Sequence, residues 1–404
     1  MEIVILGAGQ AAASMAAKLR TLGHDGGITI VGEETAPPYQ RPPLSKAYLL
    51  GTMELDRLTL RGDDWWAENG ITLRLGERAT AIDRANKTVT TDKGLIRYDN
   101  LALTLGATPR RLPAMIGGEL PGTHVVRNLA DVDLLVDELE RGRKLVVIGG
   151  GYIGLEAAAV ARKIGLEVTL VEAAPRILGR VASEETANMI RALHQAHGVE
   201  IIEGVGLIRI TGTDHAEGVE LADGRLLVAD FVICGIGVYP ETALAAHAGL
   251  RIDNGIATDA QGRTSDPAIW AAGDCASFTT AAGQLRLESV GNAIDMAELV
   301  ATNILGQSQG ETSDYLPKPW FWSDQYDAKL QIAGLNSGYD RTVTRKGEHD
   351  HAGSVWYFRN NHLIAVDALN DGRAYMVGKR LIDAGRSPSP EQVETETDLK
   401  ALMK

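Results

Sequence analysis

The sequence predicts an α/β protein with two parallel-sheet, Rossmann-like domains and a smaller α+β domain at its C-terminal end. Three observations lead there. A glycine-rich turn, Gly7-Ala8-Gly9-Gln10-Ala11-Ala12, follows the apolar run Ile3-Val4-Ile5-Leu6 and opens an alanine-rich helical stretch. The same arrangement recurs at Gly149-Gly150-Gly151-Tyr152-Ile153-Gly154, after Leu145-Val146-Val147-Ile148. From about residue 314 the composition changes, with Trp320 and Trp322 in one cluster and β-like alternation at 354–358 and 363–367. A strand, a glycine turn and a helix together hold one dinucleotide, its pyrophosphate on the helix N-terminus. Two such units in one chain point to two dinucleotides and to electron transfer between them.

Composition sets the outer bounds. A chain of 404 residues is too long for one core and should divide into two or three domains. Its 45% hydrophobic and 23% charged content is ordinary for a globular protein, and no apolar run approaches the roughly 20 residues of a membrane span. The first strand starts at Glu2, which leaves no room for a signal or transit peptide, so a cytoplasmic protein is expected. A net charge of −13 argues against a nucleic-acid partner. The two cysteines, Cys234 and Cys275, lie too far apart for a CxxC pair and are too few for an iron–sulfur cluster, so no metal is expected. Their apolar or small-residue surroundings suggest buried, inert thiols.

Taken in order, the first βαβ unit runs from a strand at 2–6 through a helix near 10–22, stopped by Gly23, to a strand at 28–31. The proline-rich loop Pro37-Pro38-Tyr39-Gln40-Arg41-Pro42-Pro43 cannot be regular helix or central strand, and it falls beside the cofactor face of the sheet. Residues 71–105 read as short strands, and Pro109, Pro113, Gly117-Gly118 and Pro121-Gly122 mark a crossover. The second unit has strands at 145–148 and 167–171 around a helix near 152–164, with further strands at 199–203, 206–210, 217–221 and 231–233. A strand ending in a loop is expected within 264–274, then a helix near 291–305. The tail after Ser387 is polar, helical or loose. The simplest organisation inserts the second dinucleotide unit into the first: 1–110 and 241–313, then 111–240, then a C-terminal domain at 314–404.

The fingerprint residues have separate tasks. Gly7 and Gly149 permit the tight turn, Gly9 and Gly151 let backbone approach phosphate, and Ala12 and Gly154 let helix and strand pack closely. Each second strand ends in an acid, Glu33 or its neighbour Glu34 in the first unit and Glu172 in the second. Glu172 lies roughly 20 positions after Gly151, where a carboxylate meets ribose hydroxyls. It would repel a 2′-phosphate and Ala173-Ala174 supply no cation, so NADH is favoured over NADPH, with Arg176 near enough to matter. A solvated glutamate at a strand end is the plainer alternative.

On Pro42-Pro43-Leu44-Ser45-Lys46, Val147–Glu156, Gly273-Asp274-Cys275-Ala276 and Trp320-Phe321-Trp322-Ser323-Asp324-Gln325-Tyr326, nearly the whole chain resembles the FAD-dependent NADH:ferredoxin reductases of bacterial haem-thiolate monooxygenases and Rieske-type dioxygenases, the putidaredoxin-reductase-like family. The resemblance implies a glutathione-reductase-like architecture in which 1–110 and 241–313 hold FAD and 111–240 holds NADH. It implies FAD contacts at Ala11, Glu33, Arg41, Lys46, Ala79, Arg127, Asp274 and Val290, and an aromatic beside the flavin at Trp322. From the Gly-Asp context alone, Asp274 also reads as a helix N-cap. Lys46 and Glu156 match a charged pair at the nicotinamide–flavin junction, so Lys46, Glu156 and Trp322 are the candidate catalytic residues. A cation beside the flavin stabilises the anionic reduced ring. Tyr152, Ile153, Glu172, Gly237 and Glu288 are the NADH-side candidates, and Tyr152 would cover the flavin until nicotinamide displaces it.

Two departures stand out. The first flavin segment reads Thr104-Leu105-Gly106 where the family has Ala-Thr-Gly, and the helix near 291–305 carries Glu298 and Leu299 where relatives can carry basic docking residues. Arg61, Lys329, Arg341 and Arg345 remain as docking candidates. The implied activity is electron transfer from NADH through FAD to a small, separate 2Fe–2S ferredoxin feeding a P450-type monooxygenase, from a monomer or weak dimer. Rubredoxin as acceptor, or a dioxygenase system, is the nearest alternative. A thiol-based reductase or NADH oxidase needs a nucleophilic cysteine near the flavin, and 33–50 contains none. A binding flavoprotein resembling apoptosis-inducing factor would need basic surfaces that this acidic chain does not suggest.

Overall fold

The computed structural model describes residues 1–281, 283–349 and 351–403. The chain forms two compact units. The first comprises Met1–Arg41, Glu54–Thr108 and Val238–Pro319; the second comprises Pro42–Met53, Pro109–Gly237 and the chain from Trp320 onward.

The first unit is built on a parallel sheet of five strands in the order Ile269–Ala271, Asn100–Leu103, Ile3–Leu6, Ile28–Gly32, Ile71–Leu75. The central run Ile3-Val4-Ile5-Leu6 is buried on both faces, which is why it shows no polar alternation. Helix Gln10–Thr21 turns Ala12, Met15, Ala16 and Leu19 inward, all fully buried. At about 1.5–3 kcal/mol for each large apolar side chain, this stripe holds the helix down. Gly23, at φ +82, ends it as expected. The helix packs along Val290–Gly306, whose small inward residues Ala293, Ala297 and Ala301 allow a close approach.

The second unit repeats the plan with parallel strands in the order Glu200–Glu203, Glu167–Glu172, Lys144–Ile148, Phe231–Cys234, Thr123–His124. Helix Tyr152–Ile164 is buried continuously from Gly154 to Ala161 and stops at Gly165, φ +103. In the same unit an antiparallel sheet runs Trp320–Gln325, Ala328–Gly334, His362–Leu369, Gly353–Arg359, Arg341–Lys346. Helix Gly372–Asp383 packs on it. The architecture is therefore α/β with two Rossmann-like sheets and an antiparallel C-terminal sheet, as the sequence suggests.

Several elements were not legible in advance. Helix Gly372–Asp383 contains two glycines, which lower its helical signal. Gly378 is there for packing, because a Cβ at that position would lie 2.6 Å from Val366 Cγ2. The hairpin Trp320–Gly334 has the turn Tyr326-Asp327 in place of a recognisable glycine signal. The proline-rich loop resolves into a short 3₁₀ turn at Pro42–Ser45, and this segment groups with the second unit, apart from its neighbours in sequence.

Asp367 and His194 are among the buried titratable groups of the second unit. Desolvation pushes Asp367 up to about 6 from 3.8, against hydrogen bonds from Tyr357 and Thr186 that pull it down. Desolvation likewise takes His194 down to about 4 from 6.5. A raised acid contributes full stability below about 3.8, and this is lost as pH climbs to about 6; a depressed base contributes fully above about 6.5, and this is lost as pH falls to about 4. The two slopes oppose each other across one window. Asp367→Asn removes the first, so between about pH 4 and 7 the variant should gain stability relative to the parent by up to about 3 kcal/mol. Urea unfolding across that range checks this, and parallel pH profiles would remove Asp367 as the group responsible.

Candidate active site

The two glycine turns are the framework. Gly7 adopts φ +99, and a Cβ there would lie 2.3 Å from the Thr104 carbonyl oxygen. Gly149 adopts φ +106, with Gly235 O at 2.4 Å from the same imaginary atom. Neither position admits another residue. At Gly154 a Cβ would meet Gly149 O at 2.1 Å, so helix and strand touch there; Ala12, fully buried, takes the corresponding place in the first unit. Gly9 and Gly151 differ in kind. A Cβ on Gly9 meets nothing within 4 Å, and one on Gly151 meets only Gly235 O at 4.0 Å. These two face open space at the mouth of a helix.

Helix capping sharpens the contrast. Among the described helices of eight residues or more, Asn128, Ser183, Ser289 and Asp371 cap their helices by accepting an N-terminal amide. Helices Gln10–Thr21 and Tyr152–Ile164 have neither a capping side chain nor an acid in the first turn. Their free amides and positive dipole ends are left to an anion. The residues present therefore fit two dinucleotide diphosphates, one in each unit.

In the first unit, the Gly273 turn gathers several candidates. Its imaginary Cβ lies 3.3 Å from Ala11 Cβ and 3.9 Å from Ala293 Cβ, so Asp274 stands beside the N-terminal ends of two helices, one of which begins at Val290. Asp274 lies in a turn before strand Ala276–Thr280, not at the N-cap position of any described helix. Arg41 donates to Glu34 (2.6 Å) and to the Tyr39 hydroxyl (3.2 Å). Burial opposes its charge, yet Tyr39, Glu34 and Asp274 together hold its pKa above the usual value. Glu34 also accepts from Tyr39 at 2.5 Å, whereas Glu33 is mostly exposed and pairs with Arg78 at 2.9 Å. Ala79 opens strand Ala79–Asp83. Glu288 is also in this unit, on Arg286 (2.5 Å), while the other NADH-side candidates lie in the second.

In the second unit, Lys46 Nζ sits 2.6 Å from Glu156 Oε2, a carboxylate only 2% exposed. Ser45 Oγ donates to the same oxygen and Ser323 Oγ to Oε1, each at 2.6 Å. Ser45 and Ser323 were missed as site residues, although both lie within the most specific motifs. Alternation along Trp320–Gln325 explains the division of labour. Trp320 and Trp322 stack on one face (5.4 Å between ring centres), while Phe321, Ser323 and Gln325 share the other. Phe321 lies against Tyr152 at 4.8 Å. The Tyr152 hydroxyl is buried with no partner among the described residues, and burial pushes its pKa well above the usual value. Ile153 is exposed at the same helix end, and Arg127 precedes the Asn128 cap.

Glu172 is held at the mouth of the second turn, accepting the Gly150 and Ala174 amides at 2.7 Å each. The Arg176 guanidinium donates instead to the carbonyls of Ala182 (2.8 Å) and Ser183 (3.3 Å), which ties its charge to its own loop. Gly237 adopts φ +96, and Arg180 Nη2 would lie 3.2 Å from a Cβ there. Cys234 and Cys275 are both buried and free, and desolvation pushes each thiol up to about 12, far from the thiolate a redox nucleophile needs. Of the docking candidates, Arg341 pairs with Glu391 (2.8 Å) and Arg345 donates to the Val393 carbonyl; Glu298 pairs with Lys18 (3.4 Å). Arg61 lies over the Trp65 ring at 5.2 Å, and Lys329 is exposed.

Residues 1–297 match the pyridine nucleotide-disulphide oxidoreductase family, and residues 320–403 match the reductase C-terminal domain. The chain therefore belongs to that family, an oxidoreductase family that binds FAD and a nicotinamide dinucleotide. It is 42% identical over 405 residues to rhodocoxin reductase of Rhodococcus erythropolis, covering 99% of this chain and 94% of that one. It is 38% identical over 377 residues to a rubredoxin-NAD(+) reductase of Pseudomonas putida, covering 92% and 96%. A solved covalent putidaredoxin reductase–putidaredoxin complex superposes with a TM-score of 0.94 at 38% identity, covering 100% of this chain and 98% of that one.

The glycine geometry separates folding from binding. Gly149→Ala should cost about 2–4 kcal/mol of stability, from strain and overlap together. Gly9→Ala should leave thermal unfolding of the flavin-free protein unchanged within about 0.5 kcal/mol and lower the fraction of FAD retained; equal FAD content in variant and parent would take Gly9 out of the phosphate site. Asp274→Ala should also weaken FAD retention, measured as flavin per protein after gel filtration, and full flavination with a normal spectrum would count against that assignment.

Proposed function

We propose that this protein carries electrons from NADH through FAD to a small 2Fe–2S ferredoxin that feeds a P450-type monooxygenase. The observation that carries the reading is the pair of glycine turns, each opening onto an uncapped helix end. The roles of segments 1–110 and 241–313 as the FAD part, 111–240 as the NADH part and 314–404 as a C-terminal domain belong to this proposal, as does a cytoplasmic monomer or weak dimer. No described helix is long and apolar enough to cross a membrane.

Gly7, Gly9, Ala11, Ala12, Glu33, Arg41, Ala79, Asp274 and Val290, with Lys46, Arg127 and Trp322, would hold FAD; Gly149, Gly151, Tyr152, Ile153, Gly154, Glu172, Gly237 and Glu288 would hold NADH. Bound FAD supplies the conversion of a two-electron hydride donor into a one-electron source. Lys46 would offer a positive charge to bound flavin, and Glu156 fixes that ammonium through a 2.6 Å ion pair. Tyr152, packed against Phe321, would cover the flavin until nicotinamide displaced it. Glu172 accepts ribose hydroxyls and disfavours a 2′-phosphate, and the engagement of Arg176 with carbonyls supports NADH over NADPH. Buried thiols and the absence of cysteine from 33–50 oppose disulfide chemistry, whatever the family's name implies. Rubredoxin is the second reading for the acceptor, favoured by the 38% identity to a rubredoxin-NAD(+) reductase.

Anaerobic titration with NADH and then with a 2Fe–2S ferredoxin tests the proposal through flavin and cluster absorbance. Flavin bleaching followed by cluster reduction is expected; bleaching without cluster reduction would exclude that ferredoxin as acceptor and turn the test to rubredoxin. Glu172→Ala should raise KM for NADH several-fold, by about 1–2 kcal/mol, and an unchanged KM would remove Glu172 from the ribose site.

A further inference from the structure

Glu156 is the inner end of a hydrogen-bond chain that reaches the surface. Ser323 Oγ is 2.6 Å from Glu156 Oε1, Gln325 Nε2 is 3.0 Å from Ser323 Oγ, His194 Nε2 is 2.7 Å from Gln325 Oε1, and the Tyr326 hydroxyl is 3.2 Å from His194 Nδ1. Ser323, Gln325 and His194 are buried, Tyr326 is half-buried, and its ring stacks on exposed His197 at 3.7 Å.

The direction of every link follows from one charge. Both Glu156 oxygens already face donors, so a carboxylate requires Ser323 to donate its single hydroxyl proton inward. Ser323 must then accept, which turns the Gln325 amide nitrogen toward it and the Gln325 oxygen toward His194. That oxygen can only accept, so His194 carries its proton on Nε2. Burial keeps His194 neutral, with its pKa taken down to about 4, so Nδ1 accepts and Tyr326 donates. Such aligned bonds polarise one another.

Tyr326 adds an independent observation. It adopts φ +58 at the first position of a two-residue hairpin turn, where Gly or Asn is the usual occupant. In that conformation its side chain meets His194 and His197.

We infer that Glu156 sets the polarity of this chain, and that His194, Gln325 and Tyr326 are positioning residues for the Lys46–Glu156 pair. The part of the inference that concerns flavin rests on the function proposed above; the polarity does not. Glu156→Gln is the decisive change. Lys46 and Ser45 still require an acceptor, so the new amide nitrogen faces Ser323 and every link reverses, leaving His194 protonated on Nδ1.

Nitrogen-15 NMR of the histidine rings, with and without FAD, reads this directly. The parent is expected to show the Nε2–H tautomer at His194 and Glu156→Gln the Nδ1–H tautomer, with His194→Phe assigning the signal. An identical tautomer in parent and variant would overturn the polarity claim. In the FAD-loaded protein, Lys46→Met and His194→Phe should both shift the flavin midpoint potential, His194→Phe by less. A shift for Lys46→Met with none for His194→Phe would overturn the positioning role and leave the flavin site standing. No shift for either would overturn both the flavin reading and the positioning of Lys46 toward it.

Discussion

A buried carboxylate with too many donors to be accidental organises the second unit. Glu156 is almost inaccessible, and a charge in that position is tolerated only when paired and hydrogen-bonded. Its partners come from two stretches of chain far from its own helix: Ser45 and Lys46 from the proline-rich segment, and Ser323 from the first strand of the C-terminal sheet. Removing any one would leave polar groups unsatisfied in a low-dielectric interior. This explains why Pro42–Met53 groups with Pro109–Gly237 and the C-terminal sheet and not with the strands that flank it in sequence.

The same economy of polar groups governs the cofactor ends. The other described helices of eight residues or more have an N-terminal amide satisfied by Asn128, Ser183, Ser289 or Asp371. The two that follow glycine turns do not, and the glycines that would otherwise block the approach have no Cβ. Stability and binding are thereby assigned to different glycines of one short motif. Gly7 and Gly149 are required by the backbone, whereas Gly9 and Gly151 are required only by what docks against them.

Several charges elsewhere among the described residues are committed locally. Arg176, Arg341 and Arg345 each have internal acceptors, and Glu298 is matched by Lys18. Net charge, −13 for the chain, therefore says little about a docking face. Burial likewise raises both thiols toward 12, away from the thiolate that a redox nucleophile needs.

By itself the sequence determined the two Rossmann-like sheets, the glycine turns and the acids at the strand ends, because short-range pattern carries that information; the pairing of Lys46 with Glu156 followed only from the family resemblance. Local signals are complete within one strand–turn–helix unit: an apolar strand, a turn needing positive φ at Gly7 or Gly149, and a helix stopped by Gly23 or Gly165. Tertiary structure alone decided which side chains complete the site. Ser45, Ser323 and Gln325 carry no signal as isolated residues and gain a role only when a strand face meets a helix face. It alone decided that Asp274 sits in a turn and not at the N-cap position of a described helix, that Arg176 is bound to its own loop, and that Tyr326 takes a glycine's conformation. The reason is the same in each case. Hydrogen-bond partners far apart in the chain are chosen by packing, and no local pattern in the sequence records that choice.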